Sequence, residues 1–335
     1  MDSTMILVVI IVALALGFDF INGFHDTANA IATSVSTRAL TPRRAIILAA
    51  VMNLVGALMF TGVAKTIGKD IVDPFKMGEH GLTIVIATLV AAIVWNLLTW
   101  LWGIPSSSSH ALIGALAGAG IASQGWDGIN YGGFSKIVLG LVMSPIIAFV
   151  IGYIIMFILK HVFANTSPHH VNKVFRSGQV LTAALQSFTH GTNDAQKAMG
   201  IITMALVVGE LHPDMDSIPF WVKLSAALAM AAGTSIGGWK IIKTMGTKIF
   251  KIEPINGFSA DIASASIILT ATLAHLPVST THTITSSILG VGAAKRFSSV
   301  KWHVAGRIIV TWIITIPVVA ILSAAVYGVL SLFMH

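Results

Sequence analysis

The charged residues of this chain cluster between long apolar runs, the pattern expected when those runs sit in lipid. A membrane-crossing helix takes about 20 apolar residues. On that measure ten hydrophobic segments can be marked, at roughly 5–36, 43–64, 82–103, 106–123, 134–159, 178–208, 220–242, 256–275, 279–294 and 304–334. The first, sixth and tenth are too long for one straight helix, and the fourth and ninth are too short to cross comfortably. Breaks or re-entrant turns are therefore predicted, since irregular backbone at membrane depth is tolerated where it lines a polar cavity. The predicted fold class is an all-α polytopic membrane protein.

Composition agrees. Of 335 residues, 55% are hydrophobic and 10% charged, against about a quarter charged in a soluble domain. The net charge of +7 does not mark a nucleic-acid binder, because the basic residues occupy short interhelical loops. Arg38, Arg43 and Arg44 follow segment one, and Lys160, Lys173 and Arg176 follow segment five. Lys240, Lys243, Lys248 and Lys251 follow segment seven, and Lys295, Arg296 and Lys301 follow segment nine. The loop after segment six instead carries Glu210, Asp214 and Asp216. Ten crossings with both termini extracellular put every strongly basic loop in the cytoplasm. The N-terminal Met1-Asp2-Ser3-Thr4 lacks the positive region of a signal peptide, so the first apolar run reads as a retained span. Zero cysteines exclude a disulfide scaffold, a thiolate metal site and a cysteine nucleophile.

Two pairs of motifs recur. Gly23-Phe-His-Asp-Thr-Ala-Asn29 in segment one matches Gly191-Thr-Asn-Asp-Ala-Gln-Lys197 in segment six, at an offset of 168 residues. Ile104-Pro-Ser-Ser-Ser-Ser-His110 opens segment four, and Leu276-Pro-Val-Ser-Thr-Thr-His282 opens segment nine, at an offset of 172. Five segments per half is an odd number, so the second half is predicted to be inverted in the membrane. The expected organisation is a first inverted repeat over 1–160, a cytoplasmic basic linker over 161–177 and a second repeat over 178–335. Inverted repeats are characteristic of secondary transporters, with the site near the midplane at the repeat interface.

An aspartate at a membrane helix centre costs about 2.5–3.5 kcal/mol, so Asp26 and Asp194 are kept for a cavity, an ion or a proton. Proline followed by Ser or Thr is a helix-start signature. The free N–H donors and positive end of such a helix suit a tetrahedral oxyanion, and the hydroxyls of Ser107, Ser108, Ser109, Ser279, Thr280 and Thr281 add uncharged donors. Plain N-capping is the competing role for any one of these hydroxyls. Asn29 and Asn193 supply neutral amides beside the aspartates. Lys197, three residues beyond Asp194, shares its helical face and either counters the anion or neutralises Asp194. Asp261 in segment eight either serves a cation path or sits near the interface. His25 is either a proton-sensitive group or a packing one, and His110 and His282 are placed to orient the hydroxyl runs. Gly233-Thr-Ser-Ile-Gly237 fits a hydrolase pattern but lacks the strand-to-helix elbow. Close helix packing explains it, as it explains Gly114 to Gly118.

At these motifs the chain resembles the inorganic phosphate transporter (PiT) family, bacterial low-affinity type. The resemblance rests on Gly-Phe-His-Asp-Thr-Ala-Asn, on His190-Gly-Thr-Asn-Asp-Ala-Gln-Lys197 and on the two Pro-x-Ser-Ser/Thr-Ser/Thr-His runs, and it covers essentially the whole chain. It implies cation-coupled phosphate uptake by alternating or elevator-like access at the cell membrane, and a homodimer. It makes Asp26 and Asp194 the essential acids and Ser107, Ser108, Thr280 and Thr281 the phosphate contacts. Sodium-coupled members tend to carry Asn-Asp in both repeats. His25-Asp26 here looks like the proton-coupled branch, some of which carry phosphate as a neutral metal complex. No resident cofactor is implied. A sulfate or other oxyanion symporter is the alternative. A phospholipid-acting membrane enzyme would need a nucleophile with a partnered base or a metal cluster, and neither is assembled. The two halves are expected to rock about the loaded site.

Overall fold

The computed structural model describes residues 3–73, 76 and 80–333. Among these residues the chain is helical throughout, without strands. The helices are α1 (Ser3–Ser36), α2 (Pro42–Met59), α3 (Gly62–Lys69), α4 (Gly81–Trp102), α5 (Ser108–Gln124), α6 (Tyr131–Val162), α7 (Pro168–Val208), α8 (Phe220–Ile236), α9 (Trp239–Lys243), α10 (Pro254–Leu273), α11 (Thr280–Arg296) and α12 (Trp302–Leu330). Within the described residues five helices are each long and apolar enough to cross a membrane. Residues Phe220–Ile236 and Lys240–Gly246, bent by 64°, add a sixth as a broken span. Exposed Leu139, Ile146, Val150 and Ile154 on α6, and Val310, Ile313 and Ile321 on α12, form outward apolar faces suited to lipid.

The breaks lie elsewhere than their predicted places. Helices α1, α7 and α12 run uninterrupted for 34, 41 and 29 residues. At 1.5 Å per residue α7 is about 60 Å long, so it outreaches a bilayer. Its first turns carry exposed His169, His170, Lys173 and Arg176. Interruptions fall instead in segment two, at Phe60–Thr61, and in segment seven, where Gly237 turns the chain at φ +73°. The predicted basic linker over 161–177 also shrinks to a short non-helical stretch, 163–167. Ser167 caps α7 by accepting from the His170 amide, and Pro168 holds its first position. That is a helix-start signal the sequence already carried.

The short segments four and nine become α5 and α11, 17 residues each, and both start inside the protein. Residues 108–120 and 280–294 are buried throughout. Packing partners recur with the halves exchanged. Helix α2 packs on α7 and α1 on α8, while α1 and α7 cross at the centre. Around that four-helix core, α6 packs on α10 and α11, and α12 packs on α4 and α5. Pro145 inside α6 and Pro317 inside α12 lie 172 residues apart, the offset of the hydroxyl runs. The last helix of each half therefore rests on the other half, so the two sequence halves cannot rock as separate bodies. Any movable unit must combine helices from both.

Close backbone approaches hold these contacts. A Cβ at Gly118 would meet the backbone of Ala320 on α12, and one at Gly233 would meet the carbonyl of Phe20 on α1. Backbone cannot step aside as a side-chain tip can. Gly233→Val is expected to destabilise the protein by at least about 3 kcal/mol, the upper part of the overpacking range. The thermal midpoint in detergent measures it, and an unchanged midpoint would mean that α1 and α8 are not in contact.

Candidate functional site

Two polar stripes run along otherwise apolar helices. On α1, Asp19, Asn22, Asp26, Asn29 and Thr33 recur every three or four residues, so they share one face. On α7, Gln179, Thr182, Gln186, His190, Asn193 and Lys197 do the same. All of these side chains are buried. The stripes meet where α1 and α7 cross, and the starts of α5 and α11 point into that crossing.

Asp26 is 1% exposed and receives three contacts. The Ser108 hydroxyl donates to one carboxylate oxygen at 2.7 Å, and the Thr281 hydroxyl donates to the other at 3.0 Å. His25 Nδ1 lies 2.7 Å from that second oxygen, and its Nε2 lies 3.2 Å from the Thr99 hydroxyl. Adjacent residues on a helix do not face each other, but this ring folds back onto its neighbour's carboxylate.

Asp194 is the counterpart. Lys197 Nζ lies 2.9 Å from Oδ1, the Thr280 hydroxyl donates to Oδ2 at 3.2 Å, and the Asn22 amide donates to Oδ2 at 3.4 Å. His190 Nε2 stands 3.3 Å from Oδ2, while its Nδ1 pairs with Asn53 Oδ1 at 3.0 Å. Lys197 Nζ also donates to the Ser108 hydroxyl at 3.0 Å. A continuous chain of polar contacts thus links Asp26 through Ser108 and Lys197 to Asp194. Ligand-type atoms of Asp26, His190 and Asp194 lie within 4.8 Å of one another. Lys197 therefore has both roles left open by its spacing: it neutralises Asp194 and presents charge to the α5 tip.

The helix tips are built alike. Ser107 caps α5 by accepting from the His110 amide at 3.1 Å, and Ser279 caps α11 by accepting from the His282 amide at 3.1 Å. The first internal bonds come from Ala111 to Ser107 at 3.0 Å and from Thr283 to Ser279 at 2.9 Å. The amides of Ser108, Ser109, Thr280 and Thr281 precede those bonds and belong to the orphan donors of a helix start. His110 Nδ1 braces the Ser107 hydroxyl at 2.8 Å, and the His110 and His282 rings meet with centroids 4.3 Å apart.

Other predicted residues are distributed differently. Asn29 donates to the Thr281 hydroxyl at 2.8 Å and so joins the site. Ser109 donates to the Val278 carbonyl at 2.7 Å. Asn193 bonds Thr272, the Leu276 carbonyl and the Val278 amide, bracing α7 against the approach to α11. Asp261 belongs to a second buried cluster, where Thr33 donates to it at 2.8 Å and Thr182 at 2.9 Å. Gln179 and Gln186 extend that cluster through Thr37 and Ser264. Asn22 and His190, four residues before Asp26 and Asp194 respectively, were not singled out. Their signal was available, since a polar residue at i−4 in an apolar helix shares the face of the acid.

Residues 22–323 match the phosphate transporter family. A probable low-affinity inorganic phosphate transporter of Bacillus subtilis (strain 168) is 62% identical over 332 residues, which is 99% of this chain and 99% of that protein. One of the same description from Rhizobium meliloti (strain 1021) is 47% identical over 330 residues, covering 98% of each. Among solved structures, the sodium-dependent phosphate transporter superimposes with a TM-score of 0.87 at 28% identity, covering 98% of this chain and 99% of the other. On this evidence the protein is a multi-pass membrane protein of the phosphate transporter family.

Proposed function

We propose that this chain imports inorganic phosphate across the cell membrane by cation-coupled symport, with both termini outside and the two halves related as inverted repeats. The observation that carries the reading is the meeting of Asp26 and Asp194 through the hydroxyls of two helix tips, with Lys197 between them. Phosphate would sit against Ser108, Ser109, Thr280, Thr281 and Lys197, with Ser107 and Ser279 holding the tips in shape. Asp26 and Asp194, with Asn29, Asn193 and His25, form the coupling-cation region, and Asp261 lies on the cation path.

Coupling follows from charge. Each negative charge entering a negative-inside cell costs about 2.3 kcal/mol per 100 mV, and a phosphate dianion carries two. The site already holds two carboxylates against one lysine, so an arriving dianion needs accompanying cations. Protons are the coupling ion we favour, because His25 is paired directly with Asp26. A divalent metal could enter as cargo complexed to phosphate, within reach of Asp26, His190 and Asp194. The protein works as a homodimer in the bilayer in this reading.

Uptake of labelled phosphate into proteoliposomes tests all of this. Accumulation is expected with an imposed pH gradient, with less from a sodium gradient and little inhibition by excess sulfate. Phosphate that only equilibrates after both gradients collapse, or that never accumulates, would indicate a channel. Strong sulfate inhibition would shift the substrate to oxyanions in general.

A further inference from the structure

Asp19 is a third acid in the crossing region and has no role so far. Its side chain is fully buried on α1, two turns before Asp26 on the same face. Neither carboxylate oxygen accepts a hydrogen bond among the described residues. The Asn22 amide lies beside it, but that amide donates to Asp194. The oxygen of Asn22 is itself without a partner. So are both side-chain polar atoms of Asn96, one turn before the Thr99 that meets His25. Buried polar groups are almost always satisfied, and a bare carboxylate out of water is among the costliest of them. Such a cluster marks a place where something polar or positive belongs.

The protein offers no spare positive charge there. On α7, Asp194 and Lys197 are the charged groups that face Asp19, and Lys197 is engaged by Asp194 and Ser108. Helix α4 has no titratable side chain. Helix α8 has only Lys223, ten residues before the Gly233 that abuts Phe20, or about 15 Å along the helix. Lys240, next to α9's start, lies over the Trp100 ring at 5.4 Å. Arg43 and Arg44 are exposed at the start of α2, and Asp261 of α10 meets α1 at Thr33, 14 residues further along.

We infer that Asp19 is a coupling-cation site, whose carboxyl takes up one monovalent cation, a proton or a sodium ion, that travels with the substrate. This rests on the transport reading above and adds to it a residue outside the anion cradle. Phosphate arriving beside Ser108 draws Lys197 toward itself and brings new negative charge close to Asp19. Cation and anion therefore favour each other's binding, and that mutual preference is what couples their movement.

Asp19→Asn separates the two steps, since it keeps shape and removes the charge. In proteoliposomes, phosphate–phosphate counterflow without any gradient is expected to continue, while gradient-driven accumulation falls about tenfold or more. Loss confined to the pH-driven arm assigns a proton, and loss in the sodium-driven arm assigns sodium. Full accumulation in Asp19→Asn overturns the inference, and so does loss of counterflow in a folded variant. If Asp19→Asn does not fold, Asp19→Glu decides: an altered dependence of accumulation on pH or sodium supports the assignment, and a wild-type dependence overturns it. Absence of counterflow in the wild-type protein is a separate failure, that of the transport reading.

Discussion

Phosphate uptake falls at least about a hundredfold in Asp26→Asn and in Asp194→Asn, each carboxylate being the acceptor of several charge-assisted bonds of about 1.5–3 kcal/mol. Asparagine fills the same space, so Ser108 and Thr281 keep a neighbour at position 26, and Thr280 and Asn22 keep one at position 194. What disappears is the negative charge that attracts a proton or metal cation. The expected result is a folded, monodisperse protein that binds phosphate poorly and accumulates none. Initial uptake rates alongside size-exclusion profiles make the comparison. Wild-type uptake in either variant would remove the paired acids from the mechanism.

Lys197→Met should have a second large effect, of a different kind. The side chain is 1% exposed and sits between Asp194 and Ser108. Removing one member of a buried pair strands the other, which costs about 3–5 kcal/mol of stability. Combining it with Asp194→Asn removes the stranded charge, so the double variant is expected to regain most of the lost thermal stability. Phosphate uptake should stay absent in single and double variants alike. If the double variant transports, Lys197 serves only to neutralise Asp194. If the single variant is as stable as wild type, the pair is not buried as described.

The ten segments and the two motif pairs were legible because they are local. Apolar length marks spans, proline followed by hydroxyls marks helix starts, and an acid inside an apolar run marks a site. The meeting of Asp26 with Ser108 and Thr281 was implied by the equal offsets, since equivalent residues of related halves converge on one axis. Partners on other helices were not legible. Nothing near Asp261 announces Thr33 or Thr182, and nothing near His190 announces Asn53. Length alone misplaced the breaks: a long helix can project into water, as α7 does, whereas Gly237 bends α8 from α9 through backbone freedom. Asp19 and Asn22 were passed over although their spacing to Asp26 places them on its face.

The crossed packing of α6 and α12 also bears on how the protein is made. Synthesis delivers α4 and α5 long before Trp302–Leu330, the helix that closes over them. Until that last helix enters the bilayer, Gly114 and Gly118 have only lipid to touch, and the α5 tip is held from one side. A nascent chain of this design reaches its binding geometry at the end of translation, when both arms clasp, and not one half at a time.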